Sequence, residues 1–275
     1  SDPDISLIGW GDSGWAPRMI ELAGEHLQFI AFHHMWNPGG KRSVLRDNEY
    51  RRDPAETWAQ LMDVWRPHDE KIKTMREQVA GSGLSLALTE CHLALRGRNR
   101  CEVLSSWAAG VAMARVLNVH ARHGDMLKIA TAADFCGTRW LVNAIMIPTP
   151  TGKPFLMPVA RVMSLYRHHV GQQAVSVSRC PDALDITASR TGNRLFLHVI
   201  NMHRTRPVAM RLKVTGMTIK GGTVFEIAAD PEFEIMQTCP DAFAPVERPM
   251  DADGAWTVPA ASVSALEMEL DSGRA

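Results

Sequence analysis

The feature that most constrains this chain is a change of rhythm at Gly171. Before it, short apolar runs rich in Leu, Ile, Phe and Ala alternate with long helical patterns. After it, short strands follow one another with turn residues between them. Alternating strand and helix signals mark βα units around a parallel sheet, and closely spaced strands mark an antiparallel sandwich. The expected fold is α/β over residues 1–170 and all-β over residues 171–275.

Four strands are expected in the first part: Ile5 to Trp10, Leu27 to His33, Leu84 to Glu90 and Met126 to Ala133. Each is nearly continuous in apolar residues, as strands covered on both faces are. A helical segment runs from Pro54 to Ala80, with Trp58, Leu61, Met62 and Trp65 at helical spacing and Pro67 as the expected break or kink. Further helices are expected over Glu102 to His120 and Pro158 to His169, the latter stopped by Gly171. Expected strands of the second part are Leu184 to Ala188, Leu195 to Asn201, Val208 to Val214, Thr223 to Ile227 and Ser262 to Leu270. Thr191-Gly192-Asn193 is a turn, and Arg211, Lys213, Glu267 and Glu269 alternate with apolar residues, so one face meets water. Four βα units are too few to close an eight-stranded barrel. Either the chain forms an open α/β sheet joined to a sandwich, or it is the second half of a TIM barrel whose first half lies elsewhere.

Thirty basic residues balance thirty acidic ones, which removes the field that draws in nucleic acid or an anionic membrane surface. A neutral small molecule or sugar suits that balance. Five cysteines, at positions 91, 101, 136, 180 and 239, are odd in number and contain no C-x-x-C pair. That argues against a disulfide framework and a zinc site, and neither metal nor cofactor is expected. A reducing, cytoplasmic setting is the simpler reading. The polar start Ser-Asp-Pro-Asp is no signal peptide, but secretion stays open because the chain can begin inside a longer protein. Apolar stretches such as Leu141 to Pro148 fall far short of the roughly 20 residues that span a bilayer.

Several motifs compete for attention. Gly9-Trp10-Gly11-Asp12-Ser13-Gly14 matches G-x-G-x-x-G after a strand, but Trp10 would crowd a pyrophosphate and the next strand ends in His33-His34 where a ribose-binding acid is needed. A glycine-rich βα loop is the plainer reading. Gly-Asp-Ser-Gly is similar to the nucleophile segment of trypsin-like proteases, whose His and Asp partners have no room in the ten residues before Gly11. His120 with His123 offers only two ligands, so His120, His123, His168 and His169 are read as surface or capping residues.

Leu84-Ser-Leu-Ala-Leu-Thr-Glu90 is an apolar strand that finishes in a carboxylate. Barrel enzymes project catalytic groups from the C-terminal ends of strands, where a charge meets substrate instead of a dry core. Strand-end acids also cap the following element, so position alone leaves both roles open. Cys91 could be a nucleophile, but no Cys-His-Asn framework is readable and a packed thiol is the alternative.

With these segments in order, the chain resembles family-51 glycoside hydrolases, the α-L-arabinofuranosidases, over nearly its whole length. Asp2 to Ser13 looks like that family's fifth-strand segment, Phe29-Ile-Ala-Phe-His33-His34-Met35-Trp36 like the sixth, and Leu84 to Glu90 like the seventh, whose terminal Glu is the nucleophile. Arg115 to Asn118, Met126 to Ala130 and Val142-Asn143 are similar to the elements that close the barrel. Pro158 to Gly171, with Tyr166 and His169, is similar to the helix leading into the C-terminal sandwich. Val199 to Asn201 and Pro259 to Val263 fit that sandwich.

The resemblance implies a retaining hydrolase with Glu90 as nucleophile, His33, His34, Trp36 and His92 around the sugar, and an arabinose-containing oligosaccharide or polysaccharide as substrate. It also implies that the acid/base Glu lies upstream of Ser1, and hence association with the other half-barrel or a homo-oligomer. Glu21, Glu25 and Glu49 are weak substitutes, in a helix or an Arg-rich loop. The chain departs from the family where Thr89-Glu90-Cys91 stands for Asp-Glu-Trp, where Met35 replaces a Tyr, and where Ala94 falls near a usual aromatic. Two alternatives follow: a non-catalytic carbohydrate-binding module using Trp10, Trp15 and Trp36, or a xylosidase or endoglucanase on the same scaffold.

Overall fold

The computed structural model describes residues 2, 4–96 and 101–272. Its first layer is a parallel sheet of β1 (Ile8–Trp10), β2 (Phe29–Trp36), β3 (Ser85–Leu93) and β4 (Leu127–Ala130), in that spatial order. The connections carry α1 (Ala16–Ala23), α2 (Pro54–Met62), α3 (Trp65–Val79) and α4 (Trp107–Arg122). All four expected strands form, and β2 and β3 run three residues beyond their expected ends.

Local chemistry sets the helix limits. The Asp53 carboxylate accepts from the Glu56 amide at 3.0 Å and Pro54 opens α2, where its missing N–H costs nothing. The expected break at Pro67 falls instead at Asp63 and Val64, because Pro67 sits in the first turn of α3 and is tolerated there. The helix expected from Glu102 begins only at Trp107. Residues Glu102–Ser105 form a 3-10 turn, and the Ser106 hydroxyl caps α4 by accepting from the Ala109 amide at 3.4 Å.

After β4 the chain leaves the parallel sheet earlier than the apolar run to Ala133 suggests. It enters a small sheet of β5 (Asp134–Gly137), β6 (Asn143–Met146) and β7 (Phe155–Leu156), followed by α5 (Pro158–His168). The remaining strands are β8 (Gln173–Val175), β9 (Leu184–Thr191), β10 (Arg194–Asn201), β11 (Val208–Arg211), β12 (Met217–Ala228), β13 (Val246–Met250), β14 (Ala255–Val258) and β15 (Ser262–Ser272). Six of them form an antiparallel sheet in the order β13-β12-β15-β10-β9-β8, and β11 pairs with β14. The strand expected over Thr223 to Ile227 is more than twice as long, since Gly221 at φ +142 absorbs a register shift against β15 and lets pairing continue to Met217.

Two apolar clusters hold these layers. The larger runs from β2 and β3 through α3, α4 and α5 to Ile200, Ile227, Val263 and Ala265 on the antiparallel sheet. Trp107 joins the two regions: it is fully buried, its Nε1 donates to the Ala261 carbonyl at 2.6 Å, and its ring lies 5.0 Å from that of Phe243. The smaller cluster fills the space between the six-stranded sheet and the β11–β14 pair, with Leu197, Val224 and Leu266 buried against Met210 and Trp256. Each such side chain contributes about 1.5–3 kcal/mol on leaving water. Among the described residues no helix is long and apolar enough to cross a membrane.

Candidate active site

Glu90 owes its position to a bulge. β2 and β3 pair residue for residue from Phe29 with Ser85 to Phe32 with Leu88, and then His33 pairs with Glu90. Thr89 is the extra residue, and it resets which side chains face which way. Thr89 and Glu90 both line an open cleft of about 850 Å³, with His33, Asp134, Phe135 and Trp140. His33 Nδ1 stands 2.9 Å from Glu90 Oε2. The Trp10 ring meets the His33 ring edge-on at 4.7 Å and fixes its plane.

His92, two residues along β3, lies on the same side as Glu90. Its Nε2 is 4.0 Å from Asp134 Oδ1, and Glu90, His92 and Asp134 each present one donor atom within 4.8 Å of the others. Asp134 is a second carboxylate beside the expected nucleophile, and the sequence reading passed over it. Its signal was an acid at the end of the Ile129-Ala-Thr-Ala-Ala133 run, which that reading treated as the close of a single strand.

His34 and Trp36 fall on the opposite face. Successive strand residues point to opposite sides, so a run of aromatic and imidazole side chains cannot act as one surface. The His34 ring stacks on the Trp36 ring at 4.4 Å, and His34 Nδ1 is 2.8 Å from His68 Nδ1. Trp36 Nε1 donates to the Val64 carbonyl at 3.1 Å. Both side chains belong to the helix-facing layer and do not meet Glu90. Burial pushes the His34 imidazole down to about 4, with Lys71 adding to the shift. Cys91 is also on that face and fully buried, which drives its thiol well above the ordinary range and makes it a poor nucleophile.

The glycine-rich loop packs and anchors. A Cβ on Gly11 would lie 2.2 Å from Ile30 Cγ2, and one on Gly9 would lie 2.5 Å from Leu27 Cδ1, so close strand–helix approach explains both glycines. Asp12 accepts from the Ser13 amide at 2.6 Å and from the His33 amide at 3.2 Å, and it pairs with Lys71. Burial alone would raise this carboxyl. The Lys71 contact and the two amides outweigh that effect and hold it below the ordinary value.

Other acids and histidines settle elsewhere. Glu21 pairs with Arg18, Glu25 with His26 and Glu49 with Arg52, and none lines the cleft. His123 follows α4 and contacts Asp69 at 2.8 Å, and His168 is exposed. His169 contacts Glu267 at 2.7 Å. His120 corrects the surface reading: it is buried between helices, with its Nε2 2.8 Å from His68 Nε2, because this face of α4 packs against α3.

The solved structures that this arrangement of sheets is similar to are those of glycoside hydrolases. No family profile and no curated protein sequence matches the chain. The fold is that of part of the family-51 arabinofuranosidase structures. It is similar to an α-L-arabinofuranosidase from Thermotoga maritima solved with arabinose (19% identity, TM-score 0.73), covering 98% of this chain and 58% of that one. It is also similar to the family-51 arabinofuranosidase from Xanthomonas axonopodis pv. citri (17%, TM-score 0.74), covering 98% and 59%. A family-44 endoglucanase from Clostridium acetobutylium matches at 15% identity and TM-score 0.60, over 92% and 49%. The chain therefore spans about three fifths of the length of the arabinofuranosidases it matches.

Proposed function

We propose that this chain is the nucleophile-bearing part of a retaining glycoside hydrolase that releases terminal arabinofuranose from arabinose-containing oligosaccharides or polysaccharides. The observation that carries the reading is Glu90, at the bulge three residues before the end of a parallel strand, 2.9 Å from His33 and open to the cleft. In this reading residues 1–170 are the second half of a TIM barrel and residues 171–275 a β-sandwich. The acid/base comes from further βα units outside this chain. The fold likeness over about three fifths of the arabinofuranosidases supports this division. So do the exposed apolar residues Ile5, Leu7, Ile8 and Trp10 along the β1 edge.

The chemistry follows from two carboxyl groups about 5–5.5 Å apart. A Glu90 oxygen attacks the anomeric carbon while the bond to the leaving oxygen breaks and that oxygen takes a proton from the acid. The resulting ester is opened by a water that gives its proton to the same group, and Glu90 leaves as carboxylate. His33 orients the attacking oxygen. Asp134, with His92 behind it, flanks the sugar, and Phe135 and Trp140, both exposed on the cleft wall, stack on it. His34 and Trp36 have no sugar contact in this proposal.

The second reading is a glycosidase of other specificity. It is favoured by the likeness to a family-44 endoglucanase and by Thr89, Cys91 and Met35 standing where the arabinofuranosidase pattern differs. Assay of the assembled protein on chromogenic arabinofuranosides, xylosides and glucosides separates the readings. Turnover of arabinofuranoside that disappears in Glu90→Gln supports the proposal, and turnover that survives Glu90→Gln defeats it.

A further inference from the structure

We propose that His68, His120 and Cys91 form a buried binding site for one d10 metal ion, copper(I) or zinc(II), on the face of β3 opposite the cleft. The expectation of no metal rested on spacing along the chain, and these residues lie far apart in sequence. The fold brings them together from α3, α4 and β3, with 0%, 9% and 0% of their surfaces exposed. One donor atom from each lies within 4.8 Å of the other two.

Three features distinguish the cluster from ordinary core packing. His68 Nε2 and His120 Nε2 point at each other at 2.8 Å, one donating its N–H to the lone pair of the other, so two ring nitrogens are aimed at one spot. Cys91 is fully buried and its thiol makes no hydrogen bond to any described residue, yet its sulfur faces this same spot. The third feature is the support behind His68: its Nδ1 lies 2.8 Å from His34 Nδ1, and its ring stacks on Trp36 at 5.1 Å. A metal-binding histidine typically uses its second nitrogen in this way, which fixes the tautomer and frees the other lone pair for the ion.

Two imidazoles and one thiolate are a soft-to-borderline donor set. Three donors without water suit trigonal copper(I), whereas zinc would take a fourth ligand. Nitrogens bound to one ion in a tetrahedron stand about 3.3 Å apart, so binding needs the His68–His120 pair to open by roughly half an ångström. The ion replaces the proton of the Cys91 thiol, which passes to solvent, and it breaks the His68–His120 hydrogen bond, so that each ring carries its single proton on Nδ1 and both bind neutral through Nε2. Because Cys91 follows Glu90 directly, the ion would tie the Glu90 strand to α3 and α4.

The test is anaerobic loading of the reduced protein with zinc(II) or copper(I), followed by desalting, metal analysis and X-ray absorption at the metal edge. One equivalent of either ion, with one sulfur and two imidazole neighbours, is expected. The two loadings identify the preferred ion. Cys91→Ala and His120→Ala should each weaken binding by at least about 100-fold, and His34→Ala by about 10–100-fold. No retained metal, or a spectrum without sulfur, overturns the proposal in the unaltered protein, whatever the variants do. Glycosidase activity is not the readout, so failure here leaves the role of Glu90 untouched.

Discussion

His33 and Glu90 face each other at 2.9 Å because β3 carries one more residue than β2 between Leu88 and Glu90. The contact brings an imidazole against the carboxylate oxygen from the neighbouring strand, and Trp10 holds that imidazole edge-on at 4.7 Å. Replacing His33 with Ala should lower kcat of the assembled hydrolase by about 10²-fold, the cost of a nucleophile free to drift by about an ångström. KM should change little. Steady-state kinetics of this variant and the unaltered enzyme checks this, and a kcat within twofold of the unaltered enzyme would remove His33 from the positioning of Glu90.

Thr89 is the extra residue of the bulge, and it puts two successive side chains, Thr89 and Glu90, on the cleft side. Leu88 and Cys91 are buried on the other side. Side chains alternate along a regular strand, so with Thr89 deleted Glu90 follows Leu88 directly, stays on the cleft side opposite His33, and leaves Cys91 in the apolar layer. The deletion variant should therefore fold with Cys91 unreactive toward a thiol reagent. Loss of the local twist that aims Glu90 should still lower kcat by about 10²-fold. Mass-spectrometric mapping of thiol labelling alongside the activity assay checks both. Rapid labelling of Cys91 in the folded variant would show that removing Thr89 turns the strand over.

The extent to which this site could be read in the sequence follows from the same geometry. Glu90 stood out as an acid closing an apolar run, although β3 continues past it to Leu93, because the residues after it also alternate between the two faces. His34 and Trp36 were read with His33 as one surface, although a strand's period of two divides them, and the structure shows the division. Asp134 was hidden because the run to Ala133 gave no sign that β4 stops at Ala130 and a new sheet begins. His120 was misread because helix spacing does not tell which face of α4 meets α3. The parallel order of β1 to β4 followed from the alternation of strand and helix. β8, β13 and β14 were missed because runs of three to five residues are too short to show a period of two.

Asp12 gives a prediction about acid stability. Its carboxyl is held below the ordinary value by Lys71 and the Ser13 and His33 amides, against the opposing effect of burial. A group lowered in the folded state contributes stability that is complete above the ordinary carboxylate value and lost as the pH falls through the lowered one. Asp12→Ala also leaves Lys71 without its partner and frees the His33 backbone. It should cost about 3 kcal/mol at pH 7. Denaturant titrations from pH 7 down to about 2 should show the gap between variant and parent closing at the acid end. A gap that stays constant over that range would mean that packing, not charge, underlies the loss.

Glu226 predicts the opposite sign. It lies on β12 between Ser264 of β15 and Val246 of β13, with only 3% of its side chain exposed. Arg248 reaches one carboxylate oxygen at 3.2 Å, and Oε2 has no partner. Burial raises this carboxyl, and Arg248 only partly offsets the rise. An acid raised in the folded state opposes folding once the pH exceeds its ordinary value, because the unfolded chain ionises more readily. Glu226→Gln removes that penalty and keeps the shape. The variant should be more stable than the parent by about 1 kcal/mol at pH 7, a rise of roughly 2 °C in Tm for a chain of this size. The advantage should vanish below the ordinary carboxylate range, where Glu226 is protonated in both states. Calorimetry at pH 7 and at about pH 3 measures both halves of the claim. A variant less stable than the parent at pH 7 would mean that the Arg248 pairing outweighs the desolvation of the charge.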